Sequence, residues 1–139
     1  MSGSSVSPGA SVDYDTWLLQ LLDRLAIERP VIVSPSMSGR FSLPLVTGRP
    51  SRVAGFVAVA PVGIPQYRDR LCRIAVPVLA IWGERDRTVP RANADLLVGQ
   101  VPHGRKLVIR NAGHAPYMND ADAFHDALRQ FLDEVSKPS

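Results

Sequence analysis

Short apolar runs alternate with longer amphipathic stretches along most of this chain. The runs at 31–33, 55–60, 77–82 and 106–110 are rich in Val, Ile, Leu and Ala. Such runs are typical of strands that are buried on both faces of a parallel sheet. The stretches between them predict helices through 17–25, 40–46, 91–98 and 120–135, with apolar residues three and four positions apart in the first and the last.

The alternation of strands and helices defines the fold class. It predicts an α/β protein of three layers, in which a mostly parallel sheet lies between two layers of helices. Residues 1–12 are rich in Ser and Gly and predict a flexible lead-in, so we expect the folded domain to span 13–139. A chain of 139 residues can form one such domain with its own core.

The chain is basic, with a net charge of +3, and 14 of its 16 basic residues are Arg. Because these arginines are scattered and only 6% of the residues are aromatic, the sequence does not predict a nucleic-acid site. No apolar run is long enough to span a bilayer, and residues 1–11 lack the apolar core of a secretory signal. We therefore expect no membrane association and a cytoplasmic or nuclear location. The single cysteine, Cys72, excludes an intrachain disulfide and is expected to be a small buried hydrophobe.

A Ser-rich turn follows the first apolar run and contains a candidate nucleophile. In the strand-turn-helix geometry that exposes a nucleophilic serine, the residues two before and two after it must be small. Ser34 would place Ile32 at one of these positions, and Ser38 would place Arg40 there. Ser36 has a serine on either side at these positions, so it is the serine that fits.

A helix that begins just after Ser36 would direct unpaired backbone N–H groups towards the site. The N–H of Met37 is then the expected donor to an oxyanion. The alternative interpretation of this segment is an ordinary Ser-rich loop that caps a helix.

A histidine and an acid follow later strands. In open α/β sheets, active sites lie at the carboxyl ends of the strands, and Ser36, Asp86 and His114 each follow one such strand in the chain order Ser, acid, His. His114 is the expected general base, because a neutral imidazole can take the serine proton and return it to the leaving group. His103 is expected at the opposite end of the sheet and His125 on the exposed side of the last helix, so both are predicted surface residues.

Asp86 is the preferred acid, since a carboxylate three residues after Gly83 could orient His114. Glu84, nearer the strand end, and Asp95, on a predicted helix, are the alternatives. A solvated charged loop is the alternative interpretation of this segment. One cysteine and three scattered histidines do not predict a metal site, and no Gly-rich phosphate loop is present.

Four segments of the chain together resemble a known family, the α/β-hydrolase domain-containing protein 14 family. These segments read PVIVSPSMSG followed by FSLP, then GFVAVAP, WGERD and NAGHAPY. The resemblance covers roughly residues 13–135. It implies that Ser36 is the nucleophile, Asp86 the acid and His114 the base of a serine hydrolase or acyltransferase.

The resemblance also implies a substrate class. Small acyl groups, on esters or on acetylated lysine of a protein, would be the substrates, with coenzyme A as an acyl acceptor in one branch of the family and no resident cofactor. Family members have further strands and a His-Gly oxyanion loop that precede the part matched here. The chain is therefore expected to be the C-terminal part of the hydrolase fold, from a truncated isoform or a fragment.

This expectation leaves an alternative function open. Without the oxyanion loop, the chain would be a catalytically impaired hydrolase that acts through a protein partner. The run 31–33, central in the family, would then be an exposed apolar edge strand suited to pairing.

Overall fold

Four parallel strands form one sheet in the computed structural model, which describes residues 14–137. The strands follow chain order across the sheet, and their bounds are β1 Val31–Pro35, β2 Gly55–Val59, β3 Val78–Gly83 and β4 Gly104–Ile109. All three strand pairs are parallel, as the apolar runs predicted. The predicted lead-in at 1–12 lies outside the described residues.

Helices connect or follow these strands. Their bounds are α1 Tyr14–Arg24, α2 Gly39–Gly48, α3 Ala92–Gln100, α4 Pro116–Asn119 and α5 Ala121–Ser136. The four predicted helices are present, and α2 continues through Pro44. The short helix α4 was missed, because four residues are too few to show a helical period. None of the helices within 14–137 is long and apolar enough to cross a membrane.

The sheet separates two apolar clusters. Because successive side chains of a strand point to opposite faces, Phe56 and Ala58 of β2 join one cluster, while Val57 and Val59 join the other. Helices α1, α2 and α3 cover the first face, and α5 covers the second through Phe124 and Phe131. The chain therefore has the predicted three-layer α/β architecture.

Strand β1 is the outermost strand of the described sheet on one side. In contrast to β2 and β3, which are buried throughout, it has partly accessible residues, and Val33 is 43% exposed. Helix α1 and the turn after it, which precede β1 in the chain, also expose apolar side chains: Trp17, Leu21, Leu25 and Ile27. The predicted apolar edge is thus present at β1.

The prediction that Cys72 is buried was wrong, since this thiol is exposed. Residues 71–73 form a single 3₁₀ turn, in which Leu71 and Ile74, three positions apart, both point into the core. With three residues per turn, Cys72 lies on the outer side.

Candidate active site

Ser36 lies in a sharp turn at the carboxyl end of β1. Its φ of +50° is in the left-handed region, which a non-glycine residue adopts at an energetic cost. One 3₁₀ turn, Ser36–Ser38, leads directly into α2. This strand-turn-helix geometry projects the Ser36 side chain from the end of the sheet, as the small-residue pattern predicted.

The small residues around Ser36 are also joined by hydrogen bonds. The Ser38 hydroxyl donates to the Pro35 carbonyl oxygen at 2.6 Å, so its own oxygen is left to accept from Ser34, 2.8 Å away. Since a hydroxyl has one proton, Ser34 then accepts from Ser42 at 2.7 Å. The rule that the neighbours of Ser36 must be small identified Ser34 and Ser38. It did not identify Ser42, which reaches Ser34 because it lies one turn of helix after Ser38.

The loop after β2 packs closely against this turn. The Val62 N–H donates to the Ser36 carbonyl oxygen at 2.9 Å. Gly39 leaves no room for a Cβ atom, which would overlap the Val62 carbonyl oxygen. The loop after β2, although distant in sequence, therefore helps to hold the backbone of Ser36 in its left-handed conformation.

The structure brings Ser36, His114 and Asp86 into one hydrogen-bonded chain. Ser36 Oγ lies 2.9 Å from His114 Nε2, and His114 Nδ1 lies 2.9 Å from Asp86 Oδ2. Because an ionised carboxylate can only accept, Nδ1 carries the proton and Nε2 is free to accept from the serine hydroxyl. The imidazole is 26% exposed, whereas the Asp86 side chain is fully buried.

Burial of the Asp86 carboxylate is balanced by backbone donors. Its Oδ1 accepts from the Thr88 N–H at 2.8 Å and the Val89 N–H at 3.0 Å. The Val89 carbonyl in turn accepts from the Trp82 indole N–H at 3.1 Å. The carboxylate is therefore anchored to the core at the end of β3, with Oδ2 left for His114.

The loop that carries His114 packs on the end of β3. Gly83 has no room for a Cβ atom, because the Ala112 and Gly113 carbonyls lie against it. The Gly113 N–H donates to Asn119 Oδ1 at 2.9 Å, and this contact ties the loop to α4. Asn119 was not among the predicted site residues, since nothing in its sequence context distinguishes it from any exposed asparagine.

The alternative acids lie elsewhere. Glu84 Oε1 accepts from the Asn111 N–H at 3.0 Å, so it fastens the loop before His114 rather than contacting the imidazole. Asp95 pairs with Lys106 on the surface of α3 and β4.

The other two histidines are exposed and lie on other elements. His103 is exposed, and its carbonyl accepts from the Val78 N–H at the start of β3, which is the opposite end of the sheet, as predicted. His125 is exposed on α5, also as predicted.

A cavity of about 590 Å³ adjoins the Ser36 turn. Residues from the turn, from the start of α2 and from the loop after β2 line it: Met37, Gly39, Arg40, Val62, Gly63, Gln66 and Tyr67. Within residues 14–137, no group of three or more His, Cys, Asp or Glu side chains is arranged to hold a metal ion.

Known proteins are similar to this chain in sequence and in fold. Residues 63–121 match the family model of the alpha/beta hydrolase fold. Protein ABHD14A of Mus musculus is 34% identical over 134 residues, which are 93% of this chain and 54% of the relative. The putative protein-lysine deacylase ABHD14B of Homo sapiens is 32% identical over 118 residues, which are 84% of this chain and 55% of the relative.

A solved structure agrees at the level of the fold. A predicted CIB-like hydrolase from Thermoplasma acidophilum superposes with a TM-score of 0.81 at 24% identity, covering 86% of this chain and 57% of that protein. The chain thus spans about half the length of the curated relatives that it matches. The architecture and these matches together show that the chain contains part of an α/β-hydrolase domain and that it resembles the ABHD14 family within that fold.

Proposed function

We propose that this chain carries the nucleophile, base and acid of a serine hydrolase or acyltransferase that acts on small acyl groups. The observation that carries the proposal is the hydrogen-bonded chain from Ser36 Oγ through His114 to the buried Asp86. The left-handed backbone of Ser36 supports it, because strain of this kind accumulates at functional sites.

The proposed reaction begins with attack by Ser36 Oγ on the acyl carbonyl carbon. His114 Nε2 takes the hydroxyl proton as the new C–O bond forms, and the resulting imidazolium is stabilised by Asp86. Collapse of the tetrahedral intermediate breaks the bond to the leaving group, which receives the proton from His114. The acyl group is then an ester of Ser36.

A second attack releases the acyl group from the serine. Water or a thiol acceptor loses its proton to His114 and attacks the acyl carbon, and Ser36 leaves with that proton. The Met37 N–H, at the start of the 3₁₀ turn, would donate to the oxyanion in both steps. With His114 as the base and Asp86 as the acid that orients it, these two reaction steps require no metal ion.

The acyl-lysine substrate class comes from a relative. ABHD14B of Homo sapiens is named a putative protein-lysine deacylase, and its matched part covers 84% of this chain. We extend that substrate class to this chain as a proposal, with esters of small acids as the simpler substrates. Measuring acyl-coenzyme A when coenzyme A is supplied separates transfer to a thiol from hydrolysis.

A fluorophosphonate probe tests the proposed nucleophile. We expect the purified chain to be labelled and Ser36→Ala to lose labelling, since the probe phosphonylates an activated serine hydroxyl. Ser51→Ala, at an exposed serine in the turn before β2, is the matched control and should be labelled like the wild type.

Thermal melts of all three proteins accompany the labelling. A wild type that melts cooperatively but is not labelled would contradict the proposed activity. Labelling that persists in Ser36→Ala would assign the nucleophile to another residue.

One observation favours a second candidate function, a catalytically impaired hydrolase that acts through a protein partner. Val33 is 43% exposed in the middle of the outermost strand β1, and an apolar strand edge of this kind can pair with another chain. A folded, unlabelled wild type that binds a partner and loses the binding in a Val33 variant would support this alternative.

A further inference from the structure

Among residues 14–137, one charged residue lines the cavity beside Ser36. Arg40 is the second residue of α2, four positions after Ser36, and it is exposed at the cavity. Met37 and Val62 provide apolar lining, while Gln66 and Tyr67 contribute polar groups on the loop side. A substrate bound here would meet apolar surface next to the nucleophile and a fixed positive charge further along.

No acidic side chain neutralises Arg40 within the described part of the chain. Two other arginines there do have acidic partners, since Arg52 pairs with Asp23 and Arg105 pairs with Glu134. The nearest acidic residue of the cavity loop in sequence is Asp69, which lies between two arginines, Arg68 and Arg70. The segments that form the cavity therefore carry a net positive charge, with a guanidinium available to bind an anion.

We propose that this cavity binds a carboxylate on the substrate, with Arg40 as its cationic partner, so that the preferred substrates of Ser36 are esters or amides bearing a negative charge. This proposal rests on the proposed function of Ser36. The planar guanidinium suits a carboxylate because its N–H groups can pair with both oxygens at once.

Tyr67, which also lines the cavity, adds a neutral donor. Burial raises the pKa of its phenol above the usual 10.0, and the nearby charge of Arg70 offsets this only in part. The Arg70 guanidinium also lies 5.7 Å from the centre of the Tyr67 ring, which holds that ring in place. The phenol is therefore protonated at physiological pH and can donate to a substrate oxygen.

Three esters test the proposal and locate the charge. 4-Nitrophenyl acetate is neutral, mono-4-nitrophenyl succinate carries a carboxylate on its acyl part, and 4-acetoxybenzoate carries one on its leaving group. The measured quantity is the ratio of kcat/KM for each charged ester to kcat/KM for the neutral ester. It is determined for the wild type, Arg40→Ala, Arg40→Lys and Arg129→Ala, the last being an exposed arginine on α5, away from the cavity.

We expect the ratio for at least one charged ester to fall about tenfold or more in Arg40→Ala, because the charge-assisted hydrogen bonds from the guanidinium to the carboxylate are lost. The loss should appear mainly in KM, and Arg40→Lys should retain part of the preference. Arg129→Ala should keep the wild-type ratio. A fall confined to the succinate places the carboxylate on the acyl side, and a fall confined to the acetoxybenzoate places it on the leaving-group side.

Ratios that do not change in Arg40→Ala would overturn the proposal, whether all three rates stay the same or fall together. If the wild type cleaves none of the esters, the proposed function fails, and a binding measurement then tests the carboxylate site by itself. Calorimetric titration of Ser36→Ala with monomethyl succinate should then show binding that Arg40→Ala, added to this variant, weakens about tenfold. Equal binding by both variants, or none by either, would overturn the carboxylate site.

Discussion

Asp86 illustrates how one side chain can serve two purposes in this fold. Its Oδ1 accepts two backbone N–H groups from Thr88 and Val89, while its Oδ2 faces His114 Nδ1. A buried carboxylate without such donors would be strongly destabilising. The same bonds that make its burial tolerable also aim the second oxygen at the imidazole.

Asp86→Asn should separate these two purposes. An asparagine whose oxygen still accepts from Thr88 and Val89 presents its NH₂ group to His114 Nδ1, so the imidazole must carry its proton on Nε2. That tautomer cannot accept the Ser36 proton, and we expect the rate of ester cleavage and of probe labelling to fall by on the order of 10⁴. The melting temperature should change little.

The control for this experiment is Asp86→Ala, which also removes the acceptor for the two N–H groups. We expect it to lower the melting temperature clearly, because the N–H of the buried Val89 loses its acceptor, and a buried N–H left without a partner costs about 1–3 kcal/mol. An Asp86→Asn protein that cleaves esters at the wild-type rate would show that Asp86 does not orient His114.

Among the elements, β1 combines two properties. Its carboxyl end carries the turn of Ser36, and its outer side is the free edge of the described sheet. Val33 lies two residues before Pro35 and is 43% exposed, in contrast to the fully buried residues of β2. The strand that positions the candidate nucleophile is therefore also an edge strand of the described sheet, with an accessible apolar side chain.

Val33→Lys should reduce self-association of the chain while leaving its fold intact. A charge on an edge strand disfavours pairing with a second edge, and a lysine at a position this accessible can extend into water. Light scattering at increasing protein concentration measures the effect.

Leu132→Lys is the matched control, since Leu132 is 40% exposed and lies on the helix α5, not on the edge strand β1. It should self-associate like the wild type. An equal reduction in both variants would attribute the change to net charge rather than to the edge of β1.

At the scale of the whole molecule, the two apolar clusters are joined through the sheet. Strands β2 and β3 contribute alternate residues to both, so neither cluster can be lost without disrupting the strands that hold the other. Trp82 is fully buried in the cluster under α2 and α3, whereas Trp17 on α1 is 36% exposed. The described residues should therefore unfold as one cooperative unit.

Trp17→Phe makes this expectation measurable, because Trp82 is then the one tryptophan left in the chain. In a urea titration, the fluorescence of Trp82 and the far-ultraviolet circular dichroism should change with the same midpoint. Midpoints that differ would show that the cluster around Trp82 and the helices as a whole unfold separately.

The fold class and the order of the elements were accessible from the sequence, because they depend on local periodicity. Apolar runs of three to six residues identified the strands, and the small-residue rule at Ser36 concerns neighbours within two positions of it. The exposure of Cys72 was not accessible in this way, since it depends on how a single 3₁₀ turn sits against the core. The helix α4 was missed because its four residues are too few to show a helical period.

What the sequence by itself determined is the set of chemically competent side chains and the strand end on which each lies. Only the tertiary structure decided which of them meet: it joins Asp86 rather than Glu84 to His114, and His114 to Ser36, across 78 positions of the chain. Their catalytic roles stay predictions. The physical reason is that a hydrogen bond is lost when the distance between its two atoms changes by a few tenths of an ångström. Positions this exact arise from the packing of loops against each other, such as Val62 on Gly39 and Gly113 on Gly83.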